Sequence, residues 1–176
     1  MGFTSGRHAG IMAALCLAIG ASAAAAQETL GEIEATIDGE AYEWRTLGGD
    51  GSDVEYNTDL RDFGPVQTIS MMGFPPGDVS MRGTIQLIVG LGSNSLTPVD
   101  QEVIYAPEGM SRMWMSIEGE DLVTVESFEA TDDGGEVAGT FSGRVCFKES
   151  MFAEPDPDNC KPIEGRFSSR LPLSEF

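Results

Sequence analysis

Apolar and polar residues alternate along most of the chain, and clusters of Gly, Asp, Asn and Pro separate the alternating runs. A period of two places successive side chains on opposite faces of an extended strand, so the pattern predicts β-strands joined by turns. Apolar positions at helical spacing do not recur over any comparable length. The sequence therefore predicts an all-β fold, either an antiparallel sandwich or a partly closed barrel, that follows an N-terminal signal peptide.

The clearest hairpin lies at the start of the alternating region. Apolar positions recur from Ile33 to Ile37, and Asp38 and Gly39 follow as a pair that tolerates positive φ in a two-residue turn. The chain then returns with Tyr42 and Trp44 on one face. This segment is expected to form the first hairpin of the sheet.

Further runs with the same alternation follow along the chain, and two prolines before Gly77 end one of them because proline removes a ladder donor. The segment 54–60 is weakly patterned. A chain of this length fits one core, so residues 27–176 are expected to form a single domain. The predicted strands are 33–37, 41–46, 66–74, 81–89, 102–105, 112–117, 122–130, 136–147 and 163–171.

Several apolar residues of these strands would line the interior of a barrel. A small apolar ligand could occupy that interior, and the alternative is that the same residues form a filled core. The candidate lining residues are Met81, Ile85, Leu87, Met113 and Phe141.

The first 26 residues have the three-part layout of a secretory signal peptide. Arg7 and His8 precede an apolar run at 11–19, and small residues fill 21–26 before the expected cleavage site at Gln27. The alternative is an uncleaved anchor, but the run is short against the roughly 20 apolar residues that span a bilayer. We therefore expect an exported protein, periplasmic or secreted, that does not span a membrane after cleavage.

The expected mature chain is strongly acidic, with nine Lys and Arg against 29 Asp and Glu once Arg7 is removed. The acids are scattered along the chain and predict a uniformly negative surface. Such a surface repels phosphate backbones and anionic head groups, so nucleic acid is not expected as a partner. The surface favours solubility in salty surroundings, or alternatively it attracts metal ions or a basic partner.

Cys146 and Cys160 are the two cysteines that remain after residue 26. In an exported chain they predict a disulfide, which would close a 15-residue loop worth about 3 kcal/mol in the chain-entropy model. A catalytic thiol is the alternative, but cleavage removes His8, the only histidine. The same loss excludes Ser-His-Asp catalysis and histidine-ligated zinc, copper and iron.

Two chemistries remain open without histidine. A pair of carboxylates can hydrolyse glycosides, so a carboxylate-dependent hydrolase stays as an alternative. Calcium takes carboxylate and carbonyl oxygens, and no other cofactor is expected. The calcium candidates are pairs of turn residues, for which solvated turns are the simpler explanation: Asp50 with Asp53, Asp132 with Asp133, and Asp156 with Asp158.

Two segments near the end of the chain repeat one pattern, Gly-x-Phe-Ser-x-Arg-aliphatic, at 139–145 and 165–171. The pattern is typical of two strands that each point a Phe inward and carry a nearby glycine where a bulky neighbour must fit. Arg144 and Arg170 are the next-to-last residues of the two repeats. They are either outward-facing strand charges or, if they lie together, a site that binds an anion.

The Ile37-Asp38-Gly39 hairpin leading to Trp44, followed by Gly139-x-Phe141 and Gly165-x-Phe167, resembles small secreted bacterial β-proteins of uncharacterised families. The resemblance implies a calycin-like barrel or a sandwich, and it implies no mechanism.

The functional hypothesis from the sequence is an exported, non-enzymatic β-domain that acts as a binding or envelope-associated module. Its partner would be a small apolar ligand or an envelope protein. The alternatives are the carboxylate-dependent hydrolase and a calcium-stabilised structural or adhesion module.

Overall fold

A computed structural model describes residues 2, 28–48, 58–150 and 152–174. The predicted signal peptide, apart from Gly2, and the calcium candidates Asp50 and Asp53 lie outside the described residues. Within these ranges the chain forms strands and no helix, which confirms the all-β prediction. The described part therefore holds no helix long and apolar enough to cross a membrane.

Ten strands follow one another along the chain. They are β1 (Glu28–Ile37), β2 (Glu40–Gly48), β3 (Asp59–Asp62), β4 (Val66–Phe74), β5 (Thr84–Gly92), β6 (Pro98–Ala106), β7 (Met113–Met115), β8 (Val123–Thr131), β9 (Gly134–Lys148) and β10 (Asp156–Pro172).

All strand pairs in the sheet are antiparallel, in the order β10-β1-β2-β4-β5-β6-β7-β9-β8, and β9 also pairs β10. The β9–β10 pairing returns the sheet to its start and gives it a ring-like closure. β3 pairs the edge of β4 beside β2, and β8 pairs the edge of β9 beside β7. The ring thus joins β1, the first described strand, to β10, the last.

The predicted first hairpin is confirmed, with Ile37 opposite Glu40 across the turn. Asp38 has φ 55° and Gly39 has φ 84°. Two successive positive φ values give the turn a twist that matches the right-handed twist of the flanking strands, which is why an Asp-Gly pair is favoured here.

The inner face of the ring carries one large apolar core, with side chains from almost every strand. Every second residue of a strand points inward, so the core follows the period-two pattern of the sequence. Its members are Ile33, Ala35, Ile37, Trp44, Leu60, Ile69, Met71, Ile85, Leu87, Val89, Leu91, Val103, Tyr105, Leu122, Val123, Val125, Val137, Phe141, Val145, Ile163, Phe167 and Leu171.

The disulfide between Cys146 and Cys160 is confirmed, with a Cα–Cα distance of 3.9 Å. The two cysteines lie directly opposite each other on β9 and β10. The residues from Asp156 onward already belong to β10, whereas the sequence predicted a loop there. Strand pairing thus extends past the disulfide, because the turn acids of this segment can also stand on the exposed side of a strand.

Candidate functional site

Aromatic side chains gather at one end of the ring, of which Tyr42, Trp114 and Phe147 are half-buried and Tyr105 is buried. This is the end where β1 turns into β2, where β9 finishes and where β10 begins. We call the site the aromatic mouth and define it by five residues: Tyr42, Tyr105, Trp114, Phe147 and Lys161.

The first part of the mouth, Tyr42 and Tyr105, forms a cluster of three rings with the core residue Trp44, on β2 and β6. Tyr42 stacks on Trp44 with 5.5 Å between ring centroids, and Tyr105 lies 5.6 Å from Tyr42 and 6.1 Å from Trp44. Trp44 is buried, and its Nε1 donates a hydrogen bond of 2.5 Å to the carbonyl oxygen of Gly83. The buried indole fixes the position of the more exposed Tyr42 ring.

The hydroxyl group of Tyr42 is held in its neutral form. It donates a hydrogen bond of 2.7 Å to Oε2 of Glu40. This bond, a second one with Tyr105, and burial raise the pKa of Tyr42 far above its ordinary value. The side chain of Glu40 lies at the edge of the mouth and accepts this hydrogen bond.

The second part of the mouth is an edge-to-face pair of Trp114 on β7 and Phe147 on β9, with centroids 5.5 Å apart. Trp114 lies opposite both Tyr105 and Phe147 in the strand register, so it links the two parts. A cation covers each ring of this pair: the guanidinium of Arg112 is 5.4 Å from the Phe147 centroid, and the ammonium of Lys161 is 4.6 Å from the Trp114 centroid.

Lys161 lies across the mouth. It precedes the inward-facing Ile163 by two residues and therefore shares its face of β10. Its ammonium is 3.8 Å from Oδ2 of Asp38, and one third of its side chain is exposed. Because Lys161 directly follows Cys160, the disulfide fixes its backbone to β9.

The residues of the aromatic mouth present electron-rich ring faces that are partly open to solvent. The side chains of Asp38 and Glu40 lie next to them. Such faces attract cations, and they also cover flat apolar groups. These residues can therefore bind a ligand by stacking and charge.

The structure separates the predicted lining residues. Ile85, Leu87 and Phe141 belong to the central core. Met81 packs against a separate cluster of Leu47, Met72 and Phe74, and Met113 packs with Ile104, Ala106, Met110 and Met115. The five residues therefore do not line one space.

Arg144 and Arg170 are also apart. Arg144 lies opposite Pro162 of β10, eight positions before Arg170 along that strand. The nearest Arg144–Glu120 and Arg170–Glu28 contacts are each 2.6 Å. Each guanidinium thus has its own carboxylate, and the structure does not bring the two together around an anion.

The described calcium candidates lie at turns and strand starts. Asp132 and Asp133 occupy the β8–β9 turn, and Asp156 Oδ1 accepts a hydrogen bond of 3.0 Å from the backbone of Asp158. Among the residues that the structure describes, no three His, Cys, Asp or Glu side chains are grouped so that they could hold a metal ion.

Glu102 on β6 is the described carboxyl group whose pKa burial raises. The positive charge of Lys148 opposes that shift, and the negative charge of Asp100 adds to it. Asp100 is exposed. Glu102 and Asp100 therefore do not form a pair of two buried carboxylates.

The sequence predicted the inward face of β2 but missed the rest of the mouth. Trp114 lies in the predicted strand 112–117, where Arg112 and Ser116 share its face and Met113, Met115 and Ile117 form the more apolar face. The alternation therefore did not favour Trp114 as an inward-facing residue. Lys161 is one of two lysines after residue 26, and its sequence position alone does not place it beside an aromatic ring. A usable signal was its position next to a predicted disulfide, which places it on a rigid strand.

Comparison with protein-family models, with curated proteins and with solved structures finds no match.

Proposed function

We propose that the protein is an exported acidic β-domain that binds a ligand or an envelope partner at the aromatic mouth and catalyses no reaction. The observation that carries this proposal is the pair of half-buried rings, Trp114 and Phe147, each covered by a charged side chain. Tyr, Trp and Arg are the residues that most often dominate binding surfaces, because they combine large apolar area with a polar group.

The apolar core fills the interior of the closed sheet, which favours a binding site at the end of the sheet and not inside it. Ile33, Leu87 and Val103 in the centre of the core are fully buried, and dense side chains fill the inner face. A ligand that contacts Trp114 from the solvent side needs no rearrangement of this core.

The net negative charge favours a protein that stays in solution after export, and it favours positively charged partners over negatively charged ones. Nine Lys and Arg stand against 29 Asp and Glu after residue 26, so the field of the protein attracts cationic partners and repels nucleic acid. The raised pKa of Glu102 favours hydrolysis, since a carboxyl group with a raised pKa can donate a proton. Its exposed neighbour Asp100 lacks the matching environment expected of a catalytic pair.

The test is native mass spectrometry of the full chain recovered from the periplasm or medium of the cells that express it. We expect the wild type to carry a bound small molecule or envelope protein, and Trp114→Leu to lose it. Phe128→Leu is the matched control, because Phe128 is another half-buried ring packed on the same core. Recovery from the cytoplasm alone, a bare wild-type chain, or equal occupancy in Trp114→Leu would contradict the proposal.

A further inference from the structure

We propose that the aromatic mouth binds an organic ammonium group, and that the ammonium of Lys161 occupies this binding position when no ligand is bound. This inference rests on the binding function proposed above and names the chemical class of the ligand. It makes Lys161 an intramolecular competitor of that ligand.

The first support is that the mouth already holds a cation. The Lys161 ammonium is 4.6 Å from the Trp114 centroid, within the 6 Å over which a ring face attracts a cation. Arg112 makes a similar contact with Phe147 at 5.4 Å. The faces of both rings therefore select positive groups from the chain itself, although the chain has few of them.

The second support is the charge around the mouth. Asp38 and Glu40 both lie at the β1–β2 turn, and Glu40 accepts a hydrogen bond from the hydroxyl group of Tyr42. The whole chain also carries a large excess of carboxylates over basic side chains. A negative field at an apolar surface raises the local concentration of cations and repels anions of the same shape.

The third support is that Lys161 is weakly held. Its distance to Asp38 is 3.8 Å, the longest of the described ion pairs, and 61% of the Asp38 side chain is exposed. Exposed pairs of this kind contribute little to stability. The lysine stem is flexible, so the ammonium can move into water when another cation takes its place over Trp114.

Substituted ammonium groups fit this exchange better than inorganic cations. Their methyl groups make them less strongly hydrated and let them contact the apolar ring faces of Tyr42 and Trp114, while the charge remains attracted to the ring. The ligand class is therefore a small molecule or side chain that carries a methylated ammonium group.

The test uses choline and its neutral analogue 3,3-dimethylbutan-1-ol, in which a carbon replaces the charged nitrogen. Binding to the full exported chain is measured by saturation-transfer NMR on the methyl signal of each compound. We expect choline to bind more tightly than the alcohol, and Trp114→Leu to lose choline binding. Lys161→Ala should tighten choline binding by about two- to fivefold, the size of one exposed cation–π contact.

Two variants separate competition from general charge. Lys148→Ala removes the same charge from a lysine whose Nζ contacts Met115 and not an aromatic ring, so it should leave choline affinity within a factor of two of the wild type. Lys161→Arg keeps a cation at the mouth and should bind choline as the wild type does. Circular dichroism establishes that each variant is folded.

Equal binding of choline and the alcohol, or unchanged or weaker choline binding in Lys161→Ala, overturns the ammonium inference. If the ammonium inference fails in this way but Trp114→Leu abolishes binding of 3,3-dimethylbutan-1-ol, the aromatic mouth remains a binding site for apolar groups. The proposed function itself fails only on the mass-spectrometric result described above, so the two failures are distinct.

Discussion

Phe141 of β9 lies directly opposite Gly165 of β10, and its ring covers the glycine on the inner face of the sheet. Two residues away the relationship is reversed, since Phe167 of β10 lies opposite Gly139 of β9. The repeated Gly-x-Phe pattern is therefore self-complementary: in an antiparallel pair, each Phe meets the glycine of the other copy.

Replacing Gly165 by alanine should be strongly destabilising. A Cβ atom there would collide with Cζ of Phe141 and with the backbone carbonyl oxygen of Glu34, and the backbone cannot yield as a side-chain end can. Overpacking of this kind costs about 1–3 kcal/mol in the free energy of unfolding, measured by urea titration.

Gly92→Ala is the matched control for that substitution, because its Cβ would meet only Val99 at 3.8 Å. It should change stability by less than about 0.5 kcal/mol. Equal effects at Gly165 and Gly92 would show that the Phe–Gly contact does not limit the packing of β9 on β10.

The buried hydroxyl groups of Thr46 and Ser169 are 2.8 Å apart. Both residues pair with Gly31, whose missing side chain leaves room for them to meet. Ser169 donates its own proton to the carbonyl oxygen of Arg170, so Thr46 is the donor between them.

Ser169→Ala should therefore cost about 1–3 kcal/mol, because it leaves a buried Thr46 hydroxyl without an acceptor. Thr46→Val should cost less, about 0.5–1.5 kcal/mol, because Ser169 keeps its bond to Arg170. A double-mutant cycle measures the coupling. Additive effects of the two substitutions would contradict a direct bond.

Loss of the disulfide should lower the free energy of unfolding by about 2–4 kcal/mol, since the bond restricts the unfolded chain. The measurement compares urea unfolding of the wild type with that of Cys146→Ala/Cys160→Ala, each with and without reductant. Reductant should weaken the wild type and leave the double variant unchanged. A wild type indifferent to reductant would contradict the prediction.

Glu102→Gln should stabilise the protein at neutral pH and have little effect at acidic pH. Burial raises the pKa of Glu102 in the folded state, so the folded protein holds this proton more tightly than the unfolded chain does. The associated stability is present below the ordinary carboxyl pKa of 4.5 and is lost as pH rises through the raised folded value. Glutamine keeps the neutral form at every pH.

The measurement is thermal or urea unfolding of both proteins at pH 4 and pH 7. Glu126→Gln on the exposed side of β8 removes the same charge and should change stability by less than about 0.5 kcal/mol at either pH. A stabilisation by Glu102→Gln that is the same at both pH values would contradict a titrating group.

Local chemistry made much of the fold predictable. The bounds of β4 at Val66 and Phe74 coincide with the predicted 66–74, and the prolines at 75 and 76 end the strand because proline cannot donate to the ladder. The Asp38-Gly39 turn followed from the backbone preferences of two residues. The predicted run at 112–117 shortens to Met113–Met115, since only these residues pair with β6 and β9.

The aromatic mouth could not be predicted from the sequence, because it forms only when strands that are distant in the chain become neighbours in the sheet. Lys161 reaches Trp114 only because β9 pairs with both β7 and β10, and no local pattern specifies that arrangement. Asp38 and Lys161 likewise meet through the pairing of β1 with β10. Register within a hairpin is encoded locally, whereas the order of strands around the ring is a property of the whole sheet.

The pairing of β1 with β10 also determines which end of the sheet lies near a point of attachment at the start of β1 or the end of β10. Glu28 at the start of β1 is joined to Arg170 near the end of β10 by a contact of 2.6 Å, so the chain enters and leaves the sheet at one end. β1 spans about 30 Å from there to the turn at Asp38. An attachment at the end where Glu28 and Arg170 meet therefore leaves the Asp38 turn, with Tyr42 beside it, at the far end of the strand pair.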